Sequence, residues 1–141
     1  MPKPNFTGTW KLNVLRSGPI LPHGLTGLVI VIDHRRPSRF RISHEKMTGN
    51  TGVAAIFGQD PPSMIDGKEH TTRVRPGKTV KMTAQWSGPV LVTHEVTTVD
   101  GTEFVSDTRT SLSDDSQVLT ISEHYREPGL DRIRDWVFDR Q

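Results

Sequence analysis

Apolar residues recur at every second position of this chain, in short runs divided by turn-forming residues. Phe6 to Val14 sets Phe6, Trp10, Leu12 and Val14 on one face, the period-two pattern of a half-buried strand. Leu28 to His34 is a continuous apolar strand. After a bend at Pro37 the chain returns over Arg39 to Lys46 with Phe40, Ile42 and His44 aligned. The stretch Ser17 to Gly27, with Gly18-Pro19 and Pro22-His23-Gly24, has the chemistry of a loop. Val53 to Phe57 has strand character but is broken on both sides, by glycines and by Asp60-Pro61-Pro62.

From Asp66 onward the punctuation becomes regular. Asp66-Gly67 and Asp100-Gly101 are tight-turn signals. Around them lie Thr79 to Ser87, Val90 to Val99, Glu103 to Leu112, Val118 to Tyr125 and Arg132 to Asp139. No segment holds helical periodicity with caps at both ends. The pattern predicts an all-β fold of roughly eight to ten strands in an antiparallel, up-and-down meander. A meander closes most simply as a barrel, and closure removes the edges that so long a sheet would expose. The whole chain, 1–141, reads as a single domain of this kind.

Composition fits that reading. The apolar share is 33% and the aromatic share 6%, low for a packed globule but suited to a thin wall whose strands each give one face to water. With 18 basic and 16 acidic residues the net charge is +2, and no basic stripe is interleaved with aromatics, which excludes a nucleic-acid partner. Arg35, Arg36, Arg39 and Arg41 form a local basic cluster, either a solvated hairpin tip or an anion site. The absence of cysteine removes disulfides, zinc–cysteine sites and thiol nucleophiles. The first residues lack the apolar stretch of a secretory signal. The expected location is the cytoplasm, or the periplasm or exterior for a trimmed protein. The longest apolar run, Leu28 to Ile32, is too short to span a bilayer.

Phe6-x-Gly8-x-Trp10-x-Leu12 resembles the opening strand of lipocalins and fatty-acid-binding proteins, where the glycine lets the strand bend and the tryptophan plugs the closed end. The later chain is similar to small bacterial lipocalin-like proteins. The matching segments are Asp66-Gly67-Lys68-Glu69, Ala84-Gln85-Trp86-Ser87-Gly88, Leu112-Ser113-x-Asp115 before Leu119-Thr120-Ile121, and Val137-Phe138-Asp139-Arg140-Gln141. The resemblance covers most of the chain except Met47 to Met64. It implies a lipocalin-like barrel that holds a small molecule. Two departures matter. Leu15 to Thr26 is too short and too rich in glycine and proline for a two-helix lid. The Arg-x-Tyr pair that grips a carboxylate on the last strand of fatty-acid-binding proteins falls here on Trp136 and Phe138, which favours a neutral or aromatic ligand. The resemblance also implies that Arg134 caps Trp10 by cation–π contact.

The inward face expected of the barrel includes Ile42, Leu119 and Ile121, with Trp10 and Leu12 at the end that the resemblance implies is closed. Phe40, Met82, Trp86, Phe104, Trp136 and Phe138 are candidate apolar contacts for a ligand. Polar residues on apolar faces are more informative, because burying one without a partner costs about 1–3 kcal/mol. His44 follows Phe40 and Ile42, His94 follows Val90 and Val92, and Glu123 lies between Ile121 and Tyr125. His44, His94, Glu123 and Tyr125 are therefore the candidates for a polar spot in the cavity. No histidine pair has metal-ligand spacing, and neither a nucleophile motif nor a phosphate-binding loop occurs. No catalytic residue, metal site or cofactor is assigned. The expected function is binding or carrying a small hydrophobic molecule, by a monomer or homodimer. One alternative is a lyase or isomerase that pairs His44 or His94 with Glu123. Another is a filled barrel that docks other proteins through Arg35 to Arg41.

Overall fold

The computed structural model describes residues 3–18, 25–36, 38–49 and 63–141. The stretch 53–57, read as a strand from its sequence, lies outside them. The described chain is all β: β1 (Gly8–Leu12), β2 (Leu25–Arg36), β3 (Arg39–Gly49), β4 (Ser63–Met64), β5 (His70–Arg75), β6 (Lys78–Ser87), β7 (Val90–Val99), β8 (Thr102–Leu112), β9 (Val118–Glu127) and β10 (Leu130–Arg140). They form one ten-stranded sheet in the order β4-β3-β2-β1-β10-β9-β8-β7-β6-β5. The meander from β5 to β10 is the one the turn residues predict. At the Asp100-Gly101 turn both φ angles are positive, 48° and 84°, as a tight hairpin turn requires.

β1 lies between β2 and β10, with Trp10 opposite both Ile30 and Arg140. The two outer flanks of the sheet then curl toward each other. Ile65 bridges to Ala84 on β6, the Gly67 N–H donates to the Ala84 carbonyl at 2.9 Å, and the Ser63 hydroxyl donates to the Met82 sulfur at 2.8 Å. The sheet is thus nearly closed into a barrel.

The core collects at the end where β1 begins. Trp10, Trp136, Phe6 and Phe138 are its largest fully buried side chains, with Leu28, Ile30, Ile32, Leu91, Leu119 and Ile121 around them. Burying each is worth about 1.5–3 kcal/mol. A stack seals this end: the Phe6 and His34 rings lie 5.4 Å apart and the His34 and Trp86 rings 5.9 Å, with Phe40 edge-on to His34. The Phe6 N–H donates to His34 Nδ1 at 3.2 Å, so that nitrogen carries no proton.

The cation over Trp10 is Arg140 and not Arg134. The Arg140 guanidinium sits 4.3 Å from the Trp10 ring centroid and donates to the Thr7 carbonyl. Both arginines share the inward face of β10. Arg134 lies six residues back along the strand, about 20 Å at ~3.4 Å per residue, and covers Trp136 at 5.0 Å instead. Gly8 makes room for this cap, because a Cβ at that position would approach Arg140 Nη1 to 2.7 Å.

Candidate functional site

Strand register decides which side chains enter the barrel. Ala84 pairs with Thr93, and Thr93 with Thr108; Ile121 pairs with Trp136. From these anchors the inner face of β7 is Leu91, Thr93, Glu95 and Thr97, and that of β8 is Phe104, Ser106, Thr108 and Thr110. On β9 it is Leu119, Ile121, Glu123 and Tyr125, and on β10 Arg132, Arg134, Trp136 and Phe138. The sealed end is apolar. Beyond Ile121 and Trp136 the inner wall turns polar.

The centre of that polar wall is an ion pair. Arg134 Nε donates to Glu123 Oε1 at 2.8 Å, and each side chain is only 5% exposed. The Trp136 indole donates to the same oxygen at 3.3 Å and the Ser106 hydroxyl to Glu123 Oε2 at 3.2 Å. Three donors thus offset the cost of burying the carboxylate. Among the described residues Arg134 is hydrogen-bonded through Nε. Thr93 and Thr108 hydrogen-bond each other across β7 and β8. Thr97 donates to Glu95 at 3.2 Å.

Toward the far end several inward residues are half-buried, among them Met82, Glu95, Thr97, Phe104, Ser106, Tyr125 and Arg132, while Val80, opposite Thr97, is only 2% exposed. Tyr125 lies between Ser106 and Arg132 in register. Burial pushes its phenol above the ordinary value of 10.0, with the negative charges of Glu127 and Glu123 adding to the shift. It is therefore a neutral hydroxyl beside the Arg134 guanidinium.

The residues singled out from sequence divide into separate groups. Met82, Phe104, Glu123 and Tyr125 face inward in the half beyond Ile121 and Trp136. Phe40, Trp86 and Phe138 belong to the sealed end, and Trp136 is buried at the boundary between the halves. His44 stands on β3 opposite Ile30, and its side chain lies outside the described part. His94 is corrected: it projects from the outer wall, exposed, and bonds Asp107, which also pairs with Arg126. The inner face of β7 is therefore the polar one. Valines 90, 92 and 96 favour the strand by β-branching while standing on the outer wall. His94 and Glu123 thus occupy opposite faces, which removes one of the two pairings an acid–base site would need. Ser106, Glu95 and Arg132 escaped sequence reading, although Ser106 follows Phe104 and Arg132 precedes Arg134 by two.

Among the described residues no three His, Asp or Glu side chains are placed to hold a metal ion, and no helix is long and apolar enough to cross a membrane.

This architecture is an antiparallel sheet nearly closed into a β-barrel, with the first strand beside the last. The chain is similar to a solved secretary abundant heat soluble (SAHS) protein from Ramazzottius varieornatus, crystallised from a dimer sample. The TM-score is 0.59 at 11% identity, over 99% of this chain and 98% of that one. At this identity the likeness is one of fold. No family model and no curated protein matches the sequence.

Proposed function

We propose that the chain, as one barrel domain, binds or carries a small molecule in the open half of its interior. The ligand class is an apolar, flat or aromatic body bearing at least one hydrogen-bond acceptor. The observation that carries this reading is the set of inward yet half-buried residues around Arg134. Met82 and Phe104 offer apolar contact, while the terminal nitrogens of Arg134 and the Tyr125 hydroxyl offer donors. Apolar surface beside a few convergent polar groups is what a small-molecule pocket needs to bury a ligand and fix its orientation. Glu123 holds Arg134 by its Nε edge, so the guanidinium is oriented before a ligand arrives.

Titration with an apolar naphthylamine fluorophore, followed by displacement with a panel of aromatic amides and acids, tests the reading. Wild type should bind saturably. Thr97→Arg, which fills the open half, should weaken binding at least tenfold with unchanged far-ultraviolet circular dichroism. Thr98→Arg, on the outer face one residue away, should bind as wild type does. Absence of saturable binding, or equal loss in both variants, refutes the proposal.

A further inference from the structure

At the sealed end, outside the barrel, the β2–β3 hairpin carries an arrangement that interior binding does not use. Ile32, His34 and Phe40 are buried. Strand alternation therefore turns Asp33, Arg35, Arg39 and Arg41 to the outer face. Register sets Asp33 opposite Arg41, and Arg36 opposite Arg39. With Asp33, the four arginines line a surface hollow of about 470 Å³.

The charge there is unbalanced. Among the described residues lining the hollow, four arginines stand with one aspartate. Asp33 is already committed: it accepts from Arg35 Nε and Nη2, both at 2.9 Å. Those bonds, with the Arg35 backbone N–H, hold its carboxyl at about 2, so it is ionised throughout the neutral range. Arg36 and Arg39 make no ion pair among the described residues, and they stand directly across the hairpin from each other. Like charges so placed destabilise the pairing. The mount is firm nonetheless. Phe40 and His34 anchor the hairpin to the sealed core, and β4 pairs with it at Arg39 and Phe40.

We infer that this arginine-lined hollow is a binding site for a small, multiply charged phosphate- or sulfate-bearing anion. The geometry favours a small anion over an acidic protein surface, because the feature is concave and of small-molecule size. Guanidinium groups present planar, paired donors that match phosphate oxygens. An anion between Arg36 and Arg39 would also convert their repulsion into two attractions. Phosphate free in solution and phosphate on a lipid headgroup offer the same chemistry.

Calorimetric titration with tripolyphosphate at low ionic strength tests the site, with Arg36→Gln/Arg39→Gln as the disabling variant. Both residues are exposed, so the fold should be retained. Arg73→Gln/Arg75→Gln, on exposed β5, removes the same charge elsewhere. Wild type and the β5 variant should bind alike, and the hairpin variant about tenfold or more weakly. No saturable binding, or equal loss in the two variants, overturns the inference. Phosphatidylcholine vesicles doped with a phosphatidylinositol phosphate separate the two sources. Retention lost in the hairpin variant assigns a membrane-borne phosphate, and tripolyphosphate binding without retention assigns a soluble one. Retention that survives Arg36→Gln/Arg39→Gln overturns the site.

Discussion

Glu123 shows how much one residue can organise. Its carboxylate takes donors from Arg134, Trp136 and Ser106, tying three strands together. Removing one partner of a buried ion pair strands the other and costs about 3–5 kcal/mol, whereas replacing both with apolar groups can be neutral or stabilising. Urea unfolding should therefore find Glu123→Leu and Arg134→Met each destabilised by about that amount, and the double variant closer to wild type than either. A double variant as unstable as the sum of the singles would mean that the two side chains act independently. Tyr125 supplies a second measurement, because it is the chain's single tyrosine. Ultraviolet titration should place its ionisation above 10.0 in the folded protein. The unfolded chain, ionising first, binds fewer protons in that window. Stability must therefore fall as pH rises through it.

At the scale of strands, the sequence is read most securely where turn chemistry and alternation agree. The regular turns after Asp66, together with Val80, Met82, Ala84 and Trp86 on β6, predict the meander and its inner face. β7 reads inverted because alternation names two faces but not which one is inside. Valines 90, 92 and 96 point outward, and Thr93, Glu95 and Thr97 stand on the inner face. Arg140 was missed for a different reason. Two arginines share the face of β10, and only the pairing of Trp10 with Arg140 selects between them. That selection is a long-range fact which local pattern does not contain. The β1–β10 seam makes its own prediction. Gly8→Ala should push the Arg140 guanidinium off Trp10 and forfeit a contact of about 0.5–2 kcal/mol, in addition to backbone strain at a φ of 154°. Arg140→Gln should lose the same contact. In a double-mutant cycle the two costs should then sum to less than their parts; strict additivity would show that Gly8 does not serve the arginine.

Over the whole molecule, the two ends are built for different work. One is packed with aromatic rings, and the other is lined largely by polar side chains, most of them half-buried. The arginine hollow lies outside the packed end, with the core between it and the polar half. A ligand at one site has no shared contact through which to favour a ligand at the other. Tripolyphosphate should accordingly leave the affinity for the naphthylamine fluorophore unchanged, the expectation for sites without coupling free energy.

The placement of β1 also sets an order in time. Trp10 is covered on one flank by β2, its neighbour in sequence, and on the other by β10, which is the last strand of the chain. Contacts of such sequence separation are slow to form because the intervening loop must first be closed. On a ribosome the opening strand would wait, half-paired, while eight others were made. The residue that plugs the barrel is made long before β10, the strand that completes its enclosure.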